Sequence, residues 1–161
     1  MNDQSNLGNY GLWYYPVALP METIVRGQVS QNLLENVAKA TNAEYNAIRA
    51  YEALVQLAPN KEFAGIITNI RNDEIAHFRN FSQIFSVLTK GRQPQLTSNP
   101  LPTNFRVGVE ESIRDELEDS KFYQETTKFT TDQRILTTLR DASADEARHA
   151  TWFSYIWSRT P

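Results

Sequence analysis

Apolar residues recur at alternating spacings of four and three along two long stretches of the chain, which run from Phe63 to Leu88 and from Ile135 to Ile156. This alternation puts all members of a stretch on one helical face, so it predicts two amphipathic helices whose shared face lines the inside of a bundle. The positions of the first are Phe63, Ile67, Ile70, Glu74, His77, Phe81, Ile84 and Leu88. Those of the second are Ile135, Leu139, Ala142, Glu146, His149, Phe153 and Ile156.

Helix-breaking residues divide the chain into four predicted helices. Proline and glycine are absent from residues 30–57 and 109–158, and they cluster within residues 91–94 and 99–102. We expect the first helix from about Ser30 to Leu57, because the residue before Pro59 avoids helical conformation. The second is capped by Asn60 and ends at Lys90, before Gly91. A third begins near Asn104 and ends near residues 130–131, where Asp132 can cap the fourth.

The connections predict a topology. Two short loops, at residues 58–60 and 130–132, join antiparallel pairs. Residues 91–103 are thirteen in number and can span ~43 Å when extended. A helix of about thirty residues is ~45 Å long. The connector can therefore cross most of the bundle, which makes helices two and three parallel.

A glutamate and a histidine three residues apart interrupt the apolar face of each helix. These pairs are Glu74 with His77 and Glu146 with His149. Residues three apart share a helical face, so both side chains of each pair point into the core. An unpaired carboxylate in an apolar interior costs several kcal/mol. Stability alone does not account for such residues.

The two halves of the chain repeat the same polar pattern with an offset of 72 residues. The matched pairs are Asp73 and Asp145, Glu74 and Glu146, His77 and His149, Glu44 and Glu116, and Tyr51 and Tyr123. Either an αα-hairpin was duplicated or two hairpins converged on one pattern. The sequence does not separate these histories.

Carboxylates and imidazoles without thiolates suit Fe or Mn ions, with Zn as a common substitute. Four glutamates carry a charge of −4, which two divalent cations balance. We expect Glu74 and Glu146 to bridge two metal ions. The other ligands are Glu44 and His77 for one ion, and Glu116 and His149 for the other.

Two of these ligands have alternatives, because the sequence does not fix which face of the first and third helices points inward. Glu52 and Glu118 are the alternatives to Glu44 and Glu116. Glu118 lies about 200° around the helix from Glu116, so both cannot face inward. Asp119 shares the face of Glu116, and we expect it beside the ligands rather than among them.

The aspartates before each glutamate are expected to orient the histidines. A metal-bound imidazole needs an acceptor for its second N–H. Because the two halves pack as a pseudo-two-fold pair, we predict crossed contacts, Asp73 with His149 and Asp145 with His77. The competing arrangement pairs each aspartate with the histidine four residues later in its own helix. Arg71 and Arg148 are expected to form solvated surface pairs.

These residues together resemble the ferritin-like di-iron carboxylate superfamily, especially its rubrerythrin and bacterioferritin-type members. The resemblance covers residues 33–161 and includes all six ligand positions, with a glutamate from two helices and a Glu-x-x-His pair from the other two. It implies an all-α, left-handed four-helix bundle with two iron ions, and manganese or zinc as substitutes. Tyr51 and Tyr123 resemble tyrosines that lie beside the ligands in that superfamily.

The chain also departs from these relatives. It has no cysteine, so it has neither an iron–sulfur cluster nor the four-cysteine iron centre of rubrerythrins proper. Met1 and Met21 are its only methionines and precede the bundle, so we expect no haem. Nothing after Trp157 predicts a fifth helix, which disfavours a ferritin-type storage cage.

Length and charge add little more. The 161 residues fit one domain, with a bundle over residues 30–161 and an aromatic segment, residues 1–29, that packs on the bundle or on a partner subunit. A net charge of −3 gives no support for nucleic acid or membrane partners. No segment predicts a signal peptide or membrane span, so we expect a cytoplasmic protein. We also expect a homodimer.

Two functions remain open at this point. The first is a redox enzyme that oxidises Fe(II) with O2 or H2O2 and takes electrons from an external donor when it turns over. The second is a non-catalytic protein that binds metal or sequesters iron. The sequence does not distinguish between them.

Overall fold

The computed structural model describes residues 30–161, which form four long helices and one short 3-10 turn. The helices are α1 (Gln31–Leu57), α2 (Lys61–Leu88), α3 (Phe105–Thr126) and α4 (Gln133–Ser158). The turn, Thr127–Phe129, follows α3 directly. The prediction for residues 1–29 lies outside the described residues. None of the helices in the described part is long and apolar enough to cross a membrane.

Side-chain caps begin three of the helices, and two of these caps, Asn60 and Asp132, are those that the sequence predicts. Asn60 accepts a hydrogen bond from the Phe63 N–H at 2.9 Å, and Asn104 accepts one from the Val107 N–H at 3.0 Å. Asp132 caps α4 by accepting from two backbone N–H groups. Helix α2 ends at Leu88, two residues before the expected end, because the chain turns into positive φ already at Lys90.

The helices form an all-α, ferritin-like four-helix bundle. Helices α1 and α2 are antiparallel and joined by a tight loop, as are α3 and α4. The Asn36 side chain at the start of α1 donates to Thr126 at the end of α3, at 3.1 Å, so α1 and α3 are antiparallel. Helices α2 and α3 therefore run parallel, and the predicted crossover between them is confirmed.

The crossover, residues 89–104, lies along α1. The side chain of Asn42 accepts from the Thr97 N–H at 2.6 Å, and that of Asn46 accepts from the Asn99 N–H at 2.8 Å. These two asparagines are four residues apart and so share one face of α1. At the far end, a Cβ on Gly108 would lie 2.7 Å from Leu54 and 2.9 Å from Pro102. Glycine is required there for α3, α1 and the crossover to approach each other.

Two apolar clusters fill the bundle, one towards each end. Leu33, Phe81 and Leu139 belong to one cluster, and Leu54, Ile67 and Phe153 belong to the other. Buried polar residues occupy the layer between them. This layer holds both Glu-x-x-His pairs.

Candidate metal centre

All six predicted ligand residues lie in this central layer. Their exposed fractions run from 1% to 6%. They are Glu44 from α1, Glu74 and His77 from α2, Glu116 from α3, and Glu146 and His149 from α4. The competitors Glu52 and Glu118 are exposed, because the phase of α1 and α3 turns them outward.

The carboxylate and imidazole atoms form two overlapping groups. Glu44, Glu74, His77 and Glu146 each offer one ligand atom within 4.8 Å of the others. The second group consists of Glu74, Glu116, Glu146 and His149, within the same limit. Glu74 and Glu146 belong to both groups. The geometry thus brings these residues together in the arrangement predicted for two ions with two shared carboxylates.

Each shared glutamate contacts both histidines. Glu74 places Oε2 3.1 Å from Nδ1 of His77 and Oε1 2.9 Å from Nδ1 of His149. Glu146 places Oε1 3.1 Å from Nδ1 of His77 and Oε2 3.0 Å from Nδ1 of His149. Both imidazoles therefore turn Nδ1 towards the centre of the layer.

One Nδ1–H cannot satisfy two carboxylate oxygens. His77 hydrogen-bonds Glu74, and His149 hydrogen-bonds Glu146. The remaining oxygens, Oε1 of Glu74 and Oε1 of Glu146, are buried and make no hydrogen bond. A buried acceptor without a donor costs about 1–3 kcal/mol, and more when it is charged. The site therefore fits metal cations, which would occupy the space between these oxygens.

The outward nitrogens of the histidines make the crossed contacts that the sequence predicts. Nε2 of His149 lies 3.1 Å from Oδ2 of Asp73, and Nε2 of His77 lies 3.3 Å from Oδ2 of Asp145. Arg148 joins the two aspartates, with contacts of 3.0 Å to Asp73 and 2.8 Å to Asp145. Each imidazole is thus held at both nitrogens, which fixes the orientation of its ring.

Tyr51 and Tyr123 make a second pair of crossed contacts, between α1 and α3. The Tyr51 hydroxyl on α1 donates to Oε1 of Glu116 at 2.6 Å, and the Tyr123 hydroxyl on α3 donates to Oε1 of Glu44. Burial raises the pKa of both tyrosines well above the usual value, and the adjacent carboxylates raise it further. Both hydroxyls therefore stay protonated and remain donors.

Burial and mutual contact shift the pKa values of the acids in opposite directions. Burial raises the pKa of Glu44 and of Glu116 well above the glutamate value, and Glu74 and Glu146 raise it further. Burial also acts to raise the pKa of Glu74, but the contacts with His149 and His77 outweigh it and lower that pKa to about 2. Ionised Glu74 is thus stabilised by the imidazoles.

The same carboxylates raise the pKa values of both histidines, which therefore hold their protons more tightly. Burial acts to lower the pKa of His77, but contacts with Glu146 and Glu74 raise it to about 10. Burial acts likewise on His149, and the carboxylates of Glu116, Glu146 and Glu74 raise its pKa far above the usual value. Without metal, imidazolium protons provide the positive charge that the carboxylates require.

Two further residues qualify the sequence interpretation. Asp119 lies on the wall of a cavity that reaches Glu44 and Glu146, and burial raises its pKa to about 7. The prediction of a solvated surface pair is wrong for Arg71. Its side chain is buried and lies 2.8 Å from Glu52, because the pair forms where α2 packs on α1.

Comparison with known proteins agrees with this architecture. The family model for Rubrerythrin matches residues 35–153. The chain belongs to the rubrerythrin family. The uncharacterized protein YhjR of Bacillus subtilis (strain 168) is 34% identical over 143 residues, which cover 88% of this chain and 94% of that protein.

Two solved structures share the fold. A hypothetical protein from Pyrococcus furiosus has a TM-score of 0.71 and 15% identity, over 87% of this chain and 94% of its own. A conserved hypothetical protein from Mycobacterium tuberculosis has a TM-score of 0.71 and 11% identity, over 81% of this chain and 93% of its own. At these identities the likeness concerns the fold alone.

The sequence interpretation missed the role of one cation and of one helical face. Arg148 forms the expected surface pairs, and these pairs also link both aspartates that hold the histidines. The missed face of α3 carries Glu111, Asp115 and Glu118, which line the same cavity as Asp119. Their spacing of four and three places them on one side of the helix, a pattern that is equally typical of a solvated surface.

Proposed function

We propose that this chain is a di-iron carboxylate oxidoreductase that oxidises Fe(II) with O2 or H2O2. The observation that carries the proposal is the pair of overlapping ligand groups with Glu74 and Glu146 in common. Shared carboxylates keep two ions close together, and a redox reaction that needs two electrons can draw one from each. Membership of the rubrerythrin family supports the same conclusion.

Each side chain has a definite task in this proposal. Glu74 and Glu146 would bridge the ions, with Glu44 and His77 completing one set of ligands and Glu116 and His149 the other. When bound, the iron pair supplies reversible one-electron oxidation at each ion. Manganese would use the same oxygen and nitrogen donors.

The surrounding residues hold these ligands in place. Asp73 and Asp145 accept the Nε2–H of the histidines and fix which nitrogen faces the metal. The Tyr51 and Tyr123 hydroxyls each hold one oxygen of Glu116 and Glu44, which leaves the other oxygen of each carboxylate for an ion. The apolar clusters above and below close the layer towards both ends of the bundle.

The test is anaerobic loading of the metal-free protein with Fe(II), followed by O2 or H2O2 in the presence and absence of a reductant. We expect two Fe(II) per chain, rapid growth of ferric absorption, and repeated turnover when the reductant is present. Glu146→Gln should abolish the reaction, while Glu125→Gln, an exposed change on α3, should not. A single round of oxidation that no reductant renews would favour iron sequestration instead.

A further inference from the structure

A cavity of about 630 Å³ opens between α1 and α3 beneath the crossover. Its inner end is formed by the four glutamates of the candidate metal centre. Its outer wall includes Asn42 and Asn46, the two residues that hold the crossover on α1. The cavity therefore connects the surface with the carboxylate side of the centre.

The wall of this cavity is strongly acidic. Four carboxylates on one face of α3 line its outer part: Glu111, Asp115, Glu118 and Asp119. Lys39 is the one basic residue among the described residues that line it, against eight acidic ones in total.

The inner end carries a separate indication of a cationic ligand. Glu74 and Glu146 both line the cavity, and each has an Oε1 atom that is buried without a hydrogen-bond donor. Their side chains are at most 2% exposed. An acidic wall thus leads to two buried carboxylate oxygens that accept no hydrogen bond.

The opposite side of the centre is unsuited to the passage of cations. Between α2 and α4 the two imidazole rings close the layer, with exposed fractions of 1% and 8% for the side chains of His149 and His77. Arg148 lies outside them and spans Asp73 and Asp145. A cation approaching from that side would meet a guanidinium.

We infer that the α1–α3 cavity is the path by which divalent cations reach the metal centre, and that Asp115 and Asp119 are transient contacts along it. This inference rests on the proposed function, since it requires a metal centre at the inner end. A cleft lined by charges of one sign concentrates ions of the opposite sign and raises association rates by about 10–10³-fold. The same field disfavours anionic substrates.

The test measures how fast Co(II) enters the metal-free, full-length protein in a stopped-flow experiment. The variant Asp115→Asn with Asp119→Asn should bind Co(II) about 10-fold more slowly at low ionic strength. Added salt should bring its rate towards that of the wild type, because salt screens the field of the cavity. Both proteins should still bind two Co(II) per chain.

The matched control is Glu125→Gln with Asp141→Asn, which removes two charges at exposed positions outside the cavity. It should load at the wild-type rate. Asp115→Lys, with Asp119 intact, should load more slowly than Asp115→Asn, which separates the effect of charge from any ligand role of Asp119.

Three results would overturn the inference. If the double variant and its control load at the same rate, the cavity is not the path. If the double variant binds fewer than two Co(II), Asp119 is a ligand rather than a contact on the way. If the wild type binds no Co(II), the proposed metal centre itself is wrong, whereas the first two results leave that centre intact.

Discussion

The two sides of the central layer are built differently. Between α2 and α4, His77, His149 and their aspartates form a closed network under Arg148. Between α1 and α3, Glu44 and Glu116 each accept a hydrogen bond from a tyrosine hydroxyl and face an acidic cavity. With the proposed function and the proposed cation path, one side would fix the geometry of the ligands, while the other would admit the ions.

The largest effect should come from the glutamates that the two sides share. Glu74 contacts both histidines, so Glu74→Gln removes a ligand from both ions. We expect metal affinity to fall by more than the ~10–100-fold that the loss of an outer hydrogen-bond partner causes. Glu44→Gln should affect mainly one of the two ions. Elemental analysis after loading with Mn(II) would reveal the difference, and two ions in Glu74→Gln would refute the shared position.

The network between α2 and α4 can be weakened without replacing a proposed ligand. Asp73→Asn replaces the carboxylate that accepts from Nε2 of His149. Metal binding should weaken by ~10–100-fold, because the imidazole loses the partner that orients it. Asp145→Asn should behave alike, and Asp141→Asn, an exposed position on the same helix, is the control. Calorimetric titration measures the affinities. Unchanged binding in both variants would show that the crossed contacts have no bearing on the metal.

Tyr51 and Tyr123, between α1 and α3, should affect the free energy of unfolding more than the metal affinity. Tyr123→Phe leaves Oε1 of buried Glu44 without its donor. The free energy of unfolding should fall by about 1–3 kcal/mol. Tyr45→Phe, which removes a hydroxyl near the exposed Ser98, should change it by about 0.5 kcal/mol or less. Urea denaturation of the metal-free proteins compares the two, and equal stabilities would contradict the described contact.

The sequence predicts those features of the two sides whose residues recur with the helical repeat. The apolar faces that begin at Phe63 and at Ile135 locate the candidate ligands, and the offset of 72 residues predicts the crossed Asp73–His149 contact. The cavity depends instead on where an aperiodic connector lies. That position is set by single contacts, such as Asn42 with the backbone of Thr97, which no pattern in the sequence reveals.

For the same reason, the sequence does not reveal whether the acidic residues of α3 line a cavity or a solvated surface. Glu111, Asp115 and Glu118 have the composition of a solvated helical face, and they remain largely exposed. Only the packing of the crossover over this face makes it the wall of a cavity. Arg71 was misjudged because its burial depends on the fit of α2 against α1, where Glu52 meets it.

The last prediction concerns pH. In the metal-free protein the raised pKa of Glu44 and Glu116 makes folding less favourable as pH rises above about 4.5, since the unfolded chain ionises more easily. The raised pKa of His77 acts in the same direction: its stabilisation is complete below 6.5 and is lost as pH rises through about 10.

The melting temperature of the metal-free protein should therefore fall between about pH 6 and pH 10. Bound metal displaces these protons and replaces their charge, so the increase in melting temperature on adding metal should grow over the same interval. Differential scanning calorimetry with and without Mn(II) measures both trends. A metal-induced increase that shrinks with rising pH would contradict the proton positions described here.

The most direct test of the central claim is a crystal structure of the Fe(II)-loaded protein with anomalous diffraction data collected at the iron absorption edge. The account predicts two anomalous peaks, about 3.5–4 Å apart. Both should lie between Glu74 and Glu146, one beside His77 and the other beside His149. A single peak, or peaks outside this layer, would contradict it.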